Sequence, residues 1–164
     1  MIRPATVDDA YGIARVHVTT WQDAYRGIVP NEYLDALDID ARVEAYDRMG
    51  VLTDTDRPMF VYDRSGDILG FVTVGPSIDE KGNGELYAIY VASKHWGTPV
   101  GAALMTHGDQ WLGERYPAAT LWVLDENARA RRFYEKHGWF ADGTTKDDDR
   151  GSFVLHEVRY RRNY

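Results

Sequence analysis

The chain has 164 residues, of which 44% are apolar and 27% charged, and its formal net charge at pH 7 is −7. This acidic balance argues against nucleic acid as the main partner, because a nucleic-acid surface needs clustered positive charge. The absence of cysteine excludes disulfides, thiolate metal sites and a cysteine nucleophile. No apolar run reaches transmembrane length and no signal-peptide pattern opens the chain, so we expect one cytoplasmic domain, residues 1–164, without membrane contact.

A short strand followed by helices is predicted for the first third of the chain. Residues 2–5 have strand character, and Thr6 and Asp9 have the spacing of a capping box, which satisfies free backbone N–H groups at a helix start. The apolar residues that follow recur at three- and four-residue steps, which predicts a helix ending at Gly27. We predict one or two further helices over residues 30–49.

Three strands and a helix are predicted in the middle of the chain. Residues 59–62 and 68–74 are rich in β-branched and aromatic side chains and flank a Ser-Gly-Asp turn, which predicts a hairpin. A third strand is predicted over residues 85–91, a turn over 92–97 and a helix over about 98–113.

The last third continues the alternation of strands and helices. We predict a strand at 119–124, a helix at 127–137, and two closing strands at 139–141 and 152–159, separated by a polar turn at 142–151. This order predicts an α/β fold with a mixed sheet.

The step from the strand at 85–91 into the next helix predicts a site for a phosphate-bearing cofactor. Gly97 and Gly101 have no side chain, so a ligand can approach the backbone. Pro99 falls in the first helical turn, where a missing N–H costs little. Free N–H groups at a helix start lie at the positive end of the helix dipole, where anions bind. The alternative is an ordinary strand–turn–helix with capping glycines, and neither a P-loop nor a three-glycine dinucleotide fingerprint is present.

Two segments match the signatures of a known family. Residues 96–102 read Trp-Gly-Thr-Pro-Val-Gly-Ala, where the family's acyl-CoA loop usually has Arg or Gln, x, x, Gly, x, Gly or Ala. Residues 127–140 read Asn-Ala-Arg-Ala-Arg-Arg-Phe-Tyr-Glu-Lys-His-Gly-Trp-Phe, like the family's asparagine-to-tyrosine helix and its following Gly-Trp/Phe. On these residues the chain resembles the GCN5-related N-acetyltransferases over essentially its whole length. It departs from the loop signature at Trp96, which replaces Arg or Gln, and at Pro99, which replaces a glycine and removes one N–H donor.

The resemblance implies a mostly antiparallel central sheet flanked by helices, with central strands that splay apart to admit acetyl-CoA. It implies an acetyl-CoA-dependent N-acetyltransferase that acts on a primary amine of a small molecule or peptide by direct attack. Family habit and the apolar strands near the C-terminus suggest a homodimer. No metal is expected, since the five histidines show no metal-ligand spacing. The alternative is a non-catalytic module that binds acyl-CoA or another ligand on the same fold, and Pro99 gives it some weight.

Two catalytic residues follow from the resemblance. Tyr134 matches a tyrosine that hydrogen-bonds the thiolate leaving group, although a tyrosine on the buried face of a helix is the alternative. Glu85 matches a glutamate that takes the proton of the amine, directly or through a water, and burial must raise its pKa for that task. A solvated carboxylate at a strand end is the alternative for Glu85.

The remaining site residues are assigned by the same resemblance. The central strand would offer backbone groups to the pantetheine arm, and the N–H of Val91 or of its neighbour would hold the developing oxyanion. The residues expected to bind the cofactor are Ile89, Tyr90, Val91, Trp96, Gly97, Thr98, Pro99, Val100, Gly101, Ala102, Asn127 and Tyr134. The residues expected to line the acceptor pocket are Trp21, Tyr25, Tyr87 and Trp122. Core packing is the alternative for these four, and a plain helix N-cap is the alternative for Asn127.

Two charged groups have open roles. Arg129, Arg131 and Arg132 reach the CoA phosphates in one interpretation and form surface pairs, such as Arg131 with Glu135, in the other. The carboxylates at 147–149 are expected in a solvated hairpin turn, with attraction of a cationic substrate as the alternative.

Overall fold

The computed structural model describes all 164 residues and contains seven strands and five α-helices. The strands are β1 (Ile2–Pro4), β2 (Met59–Arg64), β3 (Asp67–Pro76), β4 (Gly84–Val91), β5 (Ala118–Leu124), β6 (Phe140–Asp149) and β7 (Val154–Asn163). The helices are α1 (Ala10–Ala24), α2 (Asn31–Asp35), α3 (Ile39–Met49), α4 (Pro99–Gly113) and α5 (Ala128–Lys136). Single turns of 3-10 helix precede α1 and α4, at Val7–Asp9 and Ser93–His95.

The seven strands form one sheet in the order β1-β2-β3-β4-β5-β7-β6. Neighbouring strands are antiparallel except β4 and β5, which are parallel. This parallel pair is joined only at Gly84–Ala119 and Glu85–Thr120, although both strands continue for several residues. The strands therefore separate after Glu85, and the splayed centre implied by the resemblance is confirmed.

Helices cover both faces of the sheet. On one face α4 buries Leu104 and Met105 against β3 side chains such as Val72. On the other face α1 and α3 pack around Ile13 and Phe71. Removal of these apolar side chains from water is the main term that stabilises both layers. None of the helices is both long enough and apolar enough to cross a membrane.

The capping box predicted before α1 is confirmed. The Asp9 carboxylate accepts hydrogen bonds from the backbone N–H of Thr6 at 2.8 Å and from its hydroxyl at 3.0 Å. Arg3 of β1 donates two more to the same carboxylate, both at 2.7 Å, and holds the pKa of Asp9 at about 2. The helix that follows ends at Ala24, earlier than the predicted Gly27.

The polar turn predicted over residues 142–151 is wrong, and so is the placement of the carboxylates 147–149 within it. Strand β6 continues to Asp149 and pairs with β7. Lys146 and Glu157 face each other across this pair, with Nζ and Oε2 3.7 Å apart. Because β6 is an edge strand, its polar side chains stay in solvent while its backbone is paired, so a charged segment is stable as a strand.

Candidate active site

A cleft of about 780 Å³ opens where β4 and β5 separate. Its walls are the end of α1, the loop before α4, the start of α5 and the β6–β7 hairpin. The predicted site residues that line it are Trp21, Tyr25, Glu85, Tyr87, Ile89, Tyr90, Val91, Trp96, Gly97, Thr98, Gly101, Ala102, Trp122, Asn127 and Tyr134. Two others do not line it: Pro99 is exposed to solvent and Val100 is buried in the core.

The backbone of β4 presents alternate residues to this cleft. The N–H of Ala92 donates to the carbonyl oxygen of Leu69 at 2.9 Å, which fixes the phase of the β3–β4 ladder. Since alternate residues of an antiparallel ladder face the neighbouring strand, the backbone groups of Tyr90 face β3 and those of Ile89 and Val91 face the opening. On that side β5 has already separated, so no strand occupies these groups.

The carbonyl oxygen of Val91 is nevertheless occupied by side chains. It accepts hydrogen bonds from Trp96 Nε1 at 2.7 Å and from Thr20 Oγ1 at 3.2 Å. The first of these bonds fixes the indole of Trp96 at the end of β4. Val91 therefore keeps only its N–H for a ligand.

The start of α4 is left without a side-chain cap. The Thr98 hydroxyl donates to the His95 carbonyl at 2.6 Å and does not accept from the helix. The N–H groups of Gly97, Val100 and Gly101 have no partner within the chain. Pro99 is the first residue of the helix, so it removes only a donor that the helix itself does not use. The helix start thus keeps several free donors at its positive end.

Tyr134 is positioned by α5, which begins at Asn127. The side-chain oxygen of Asn127 accepts the Ala130 N–H at 3.1 Å, so this residue is an N-cap that also lines the cleft. Tyr134 is 8% exposed and packs in the core, while its hydroxyl has no hydrogen-bond partner in the chain. Burial raises the pKa of Tyr134 well above its ordinary value. The phenol is therefore a hydrogen-bond donor at neutral pH and does not release its proton.

Glu85 lies at the point where β4 and β5 separate, and it is not a solvated carboxylate. It is only 7% exposed, and its Oε2 accepts the Ile78 N–H at 3.3 Å. Burial is the main cause that raises the pKa of Glu85 above the ordinary glutamate value. Beside it on β5, Thr120 is fully buried and its hydroxyl oxygen has no partner.

The four aromatic residues expected at the acceptor end border the cleft, and three of them, Trp21, Tyr87 and Trp122, have their polar atoms already bonded. Trp21 Nε1 donates to the Tyr90 hydroxyl at 3.1 Å, and Trp122 Nε1 donates to Asp79 Oδ2 at 3.0 Å. Tyr87 is an extra residue of β4 at a bulge, and its hydroxyl donates to a backbone carbonyl of β3. These bonds fix the rings, so the surface that they offer to an acceptor is mainly apolar.

Sequence reasoning missed the contribution of the β6–β7 hairpin to this site. Lys146, Asp148, Arg150 and Glu157 all line the cleft, and Lys146 Nζ lies 4.1 Å from the ring centroid of Trp122. The signal was available, since the first three alternate along the chain and a strand places alternate residues on one face. The assignment of a turn concealed this signal.

No group of three or more His, Cys, Asp or Glu side chains is placed so that it could hold a metal ion.

The three arginines of α5 have different surroundings. Arg129 lines the cleft. Arg131 lies 2.7 Å from Asp125, so the suggested pairing with Glu135 is wrong. Arg132 is exposed and is not part of the cleft.

Known proteins resemble the chain in sequence. The model of the Acetyltransferase (GNAT) family matches residues 18–139. The uncharacterized N-acetyltransferase YuaI of Bacillus subtilis is 31% identical over 130 residues, which are 77% of this chain and 72% of the relative. An uncharacterized N-acetyltransferase of Archaeoglobus fulgidus is 33% identical over 138 residues, which are 81% of this chain and 88% of the relative.

Solved structures resemble the chain in fold. The PaiA N-acetyltransferase from Thermoplasma acidophilum in complex with coenzyme A aligns with a TM-score of 0.80 at 18% identity, over 100% of this chain and 98% of that chain. A ribosomal-protein-alanine N-acetyltransferase from Brucella melitensis aligns with a TM-score of 0.68 at 22% identity, over 100% and 99% of the two chains. At such identities the likeness shows a common fold.

Proposed function

Since the chain belongs to the GNAT family of acetyltransferases, we propose that this acetyl-CoA-dependent enzyme acetylates a primary amine of a small molecule or peptide by direct attack. The observation that carries the proposal is the cleft between β4 and β5, which is lined by Glu85, by Tyr134 and by the uncapped start of α4. When bound there, acetyl-CoA supplies a thioester carbonyl that is activated toward amines.

Backbone groups on two elements support binding of the cofactor. Ile89 offers its N–H and carbonyl to the amides of a pantetheine arm, as a neighbouring strand would. The free N–H groups of Gly97, Val100 and Gly101 offer donors to a pyrophosphate at the positive end of α4. The residues present therefore fit a ligand with a linear amide arm and a phosphate group.

Glu85 is our proposed base. An alkylammonium has a pKa of about 10, so releasing its proton at pH 7 costs roughly 4 kcal/mol. The raised pKa of Glu85 makes it a better proton acceptor than an exposed carboxylate. In this proposal Glu85 takes the amine proton, directly or through a water.

Tyr134 and Val91 are proposed to stabilise charge that develops during the transfer. The protonated phenol of Tyr134 donates a hydrogen bond to the leaving thiolate, and its raised pKa favours donation over full proton transfer. The N–H of Val91 faces the opening and donates to the acetyl oxygen as it gains negative charge. Removal of either donor would raise the barrier without removing the cleft.

Release of CoA in the presence of a panel of primary amines tests the proposal. At least one amine should give turnover with the wild-type protein, and Tyr134→Phe should lower kcat by about a hundred-fold with little change in the Kd for acetyl-CoA. Tyr116→Phe is a matched control outside the cleft and should keep wild-type kcat. Full activity of Tyr134→Phe would remove its assigned role. Binding of acetyl-CoA without turnover of any amine would favour the non-catalytic binding module.

A further inference from the structure

The acyl-CoA loop of this chain lacks the side chain that the family signature usually places at its start. Trp96 stands where Arg or Gln is usual, and Pro99 removes a backbone donor further along the loop. The net charge of the protein is −7. Residues 96–102 therefore offer a pyrophosphate no charged side chain, and a cation has to come from outside this segment.

Arg129 supplies such a cation from the opposite wall of the cleft. It lies on α5, which follows β5, whereas Trp96 lies in the loop that follows β4. The guanidinium carbon of Arg129 is 3.4 Å from the ring centroid of Trp96, which is the geometry of a cation–π contact. The indole is fixed in turn by its 2.7 Å hydrogen bond to the Val91 carbonyl. Positive charge is thus held against the loop whose N–H groups are free.

Arg129 has no anionic partner within the protein. It forms no ion pair, whereas Arg131 on the same helix is paired with Asp125 at 2.7 Å. Burial lowers the pKa of Arg129 below its ordinary value, although the residue as a whole is exposed to solvent. An exposed arginine without a counter-ion keeps its full charge available to an anionic ligand.

Stacking leaves the edge of a guanidinium available. Its planar fork of N–H groups matches two oxygen atoms of a phosphate, and such bonds are among the strongest that a side chain makes. We propose that Arg129 binds the pyrophosphate of the cofactor from the α5 side of the cleft, and that Trp96 positions it for this contact. The inference rests on the proposed acetyl-CoA site. In it, α5 supplies the positive charge that residues 96–102 lack.

Another cation on α5 allows the contact to be separated from a general effect of charge. Arg132 is exposed like Arg129 but lies outside the cleft. Replacement of Arg132 by methionine removes the same charge from the same helix as Arg129→Met.

Calorimetric titration with three ligands tests the proposal. Arg129→Met should weaken binding of acetyl-CoA and of its 3′-dephospho form by about ten-fold each, because both carry the pyrophosphate. It should leave binding of S-acetylpantetheine, which has no phosphate, unchanged. Arg132→Met should change each Kd by less than about two-fold. Arg129→Lys, which keeps the charge and loses the planar fork, should recover only part of the affinity, and thermal melts should show that every variant is folded.

Three results would overturn this assignment. They are wild-type affinity in Arg129→Met, an equal loss of affinity for S-acetylpantetheine, and a loss confined to acetyl-CoA, which would point to the 3′-phosphate. If the wild-type protein binds none of the three ligands, the proposed function falls together with the inference. If the wild-type protein binds acetyl-CoA and Arg129→Met is indifferent, only the inference falls.

Discussion

The protonation of a single buried carboxylate is expected to set the acid limit of activity. Because burial raises the pKa of Glu85, kcat/KM of the wild-type protein should fall on acidification at a higher pH than an ordinary glutamate would give. Glu85→Gln should lower the rate and flatten this acid limb, since the group that titrates is gone. The measurement is a pH–rate profile with the best amine of the panel.

Glu126→Gln provides the control for that profile. Glu126 is exposed and outside the cleft, so its replacement should leave the shape of the profile as in the wild type. An unaltered acid limb in Glu85→Gln would assign the base to another group.

Among the elements, the contact of α1 with α3 makes stability depend on pH. His17 of α1 has Nδ1 2.6 Å from the hydroxyl of Tyr46 on α3. Burial, together with the nearby Arg42, lowers the pKa of His17 from 6.5 to about 3. The unfolded chain therefore binds a proton below pH 6.5 that the folded protein does not bind, and the free energy of unfolding falls by up to about 1.4 kcal/mol per pH unit in that range.

Urea unfolding at pH 7.5 and pH 5.5 measures this effect. The wild-type protein should lose stability between the two values, and His17→Gln should lose less, because only smaller contributions such as that of His107 remain. His156→Gln alters an exposed histidine and should keep the wild-type pH dependence. Equal losses in the wild type and in His17→Gln would show that another group carries the pH dependence.

On the scale of the whole molecule, a ligand in the central gap should stabilise the protein. The two parts of the sheet are joined there only at Gly84–Ala119 and Glu85–Thr120, so a ligand that contacts both walls adds links that the sheet lacks. At one hundred times Kd, binding to the native state alone adds about 2.7 kcal/mol to the free energy of unfolding. For a chain of this size that is roughly 5–10 °C in Tm.

A thermal melt with acetyl-CoA checks this expectation, with free CoA and an unrelated adenine nucleotide as comparisons. We expect a shift with acetyl-CoA that the nucleotide does not produce. No shift at millimolar acetyl-CoA would mean that Trp96 and Pro99 disable the loop.

Homodimerisation, which the resemblance suggests, stays a prediction.

Local patterns were sufficient to predict most elements. The capping box at Thr6, the glycine turn between β2 and β3 and the spacing of apolar residues in α4 are each decided by neighbours within a few residues. Strand β6 was missed because its polar sequence pairs with residues that lie further along the chain, and an edge position tolerates charge on an exposed face.

The sequence by itself determined the order of most elements and the family, because both follow from patterns within short segments of the chain. Only the tertiary structure decided that Glu85 is buried and that Arg129 rests on Trp96. The physical reason is that burial and stacking are set by residues that are distant in the chain. In particular, β4 and β5 separate and leave a cleft, and α5 places Arg129 at the wall of that cleft.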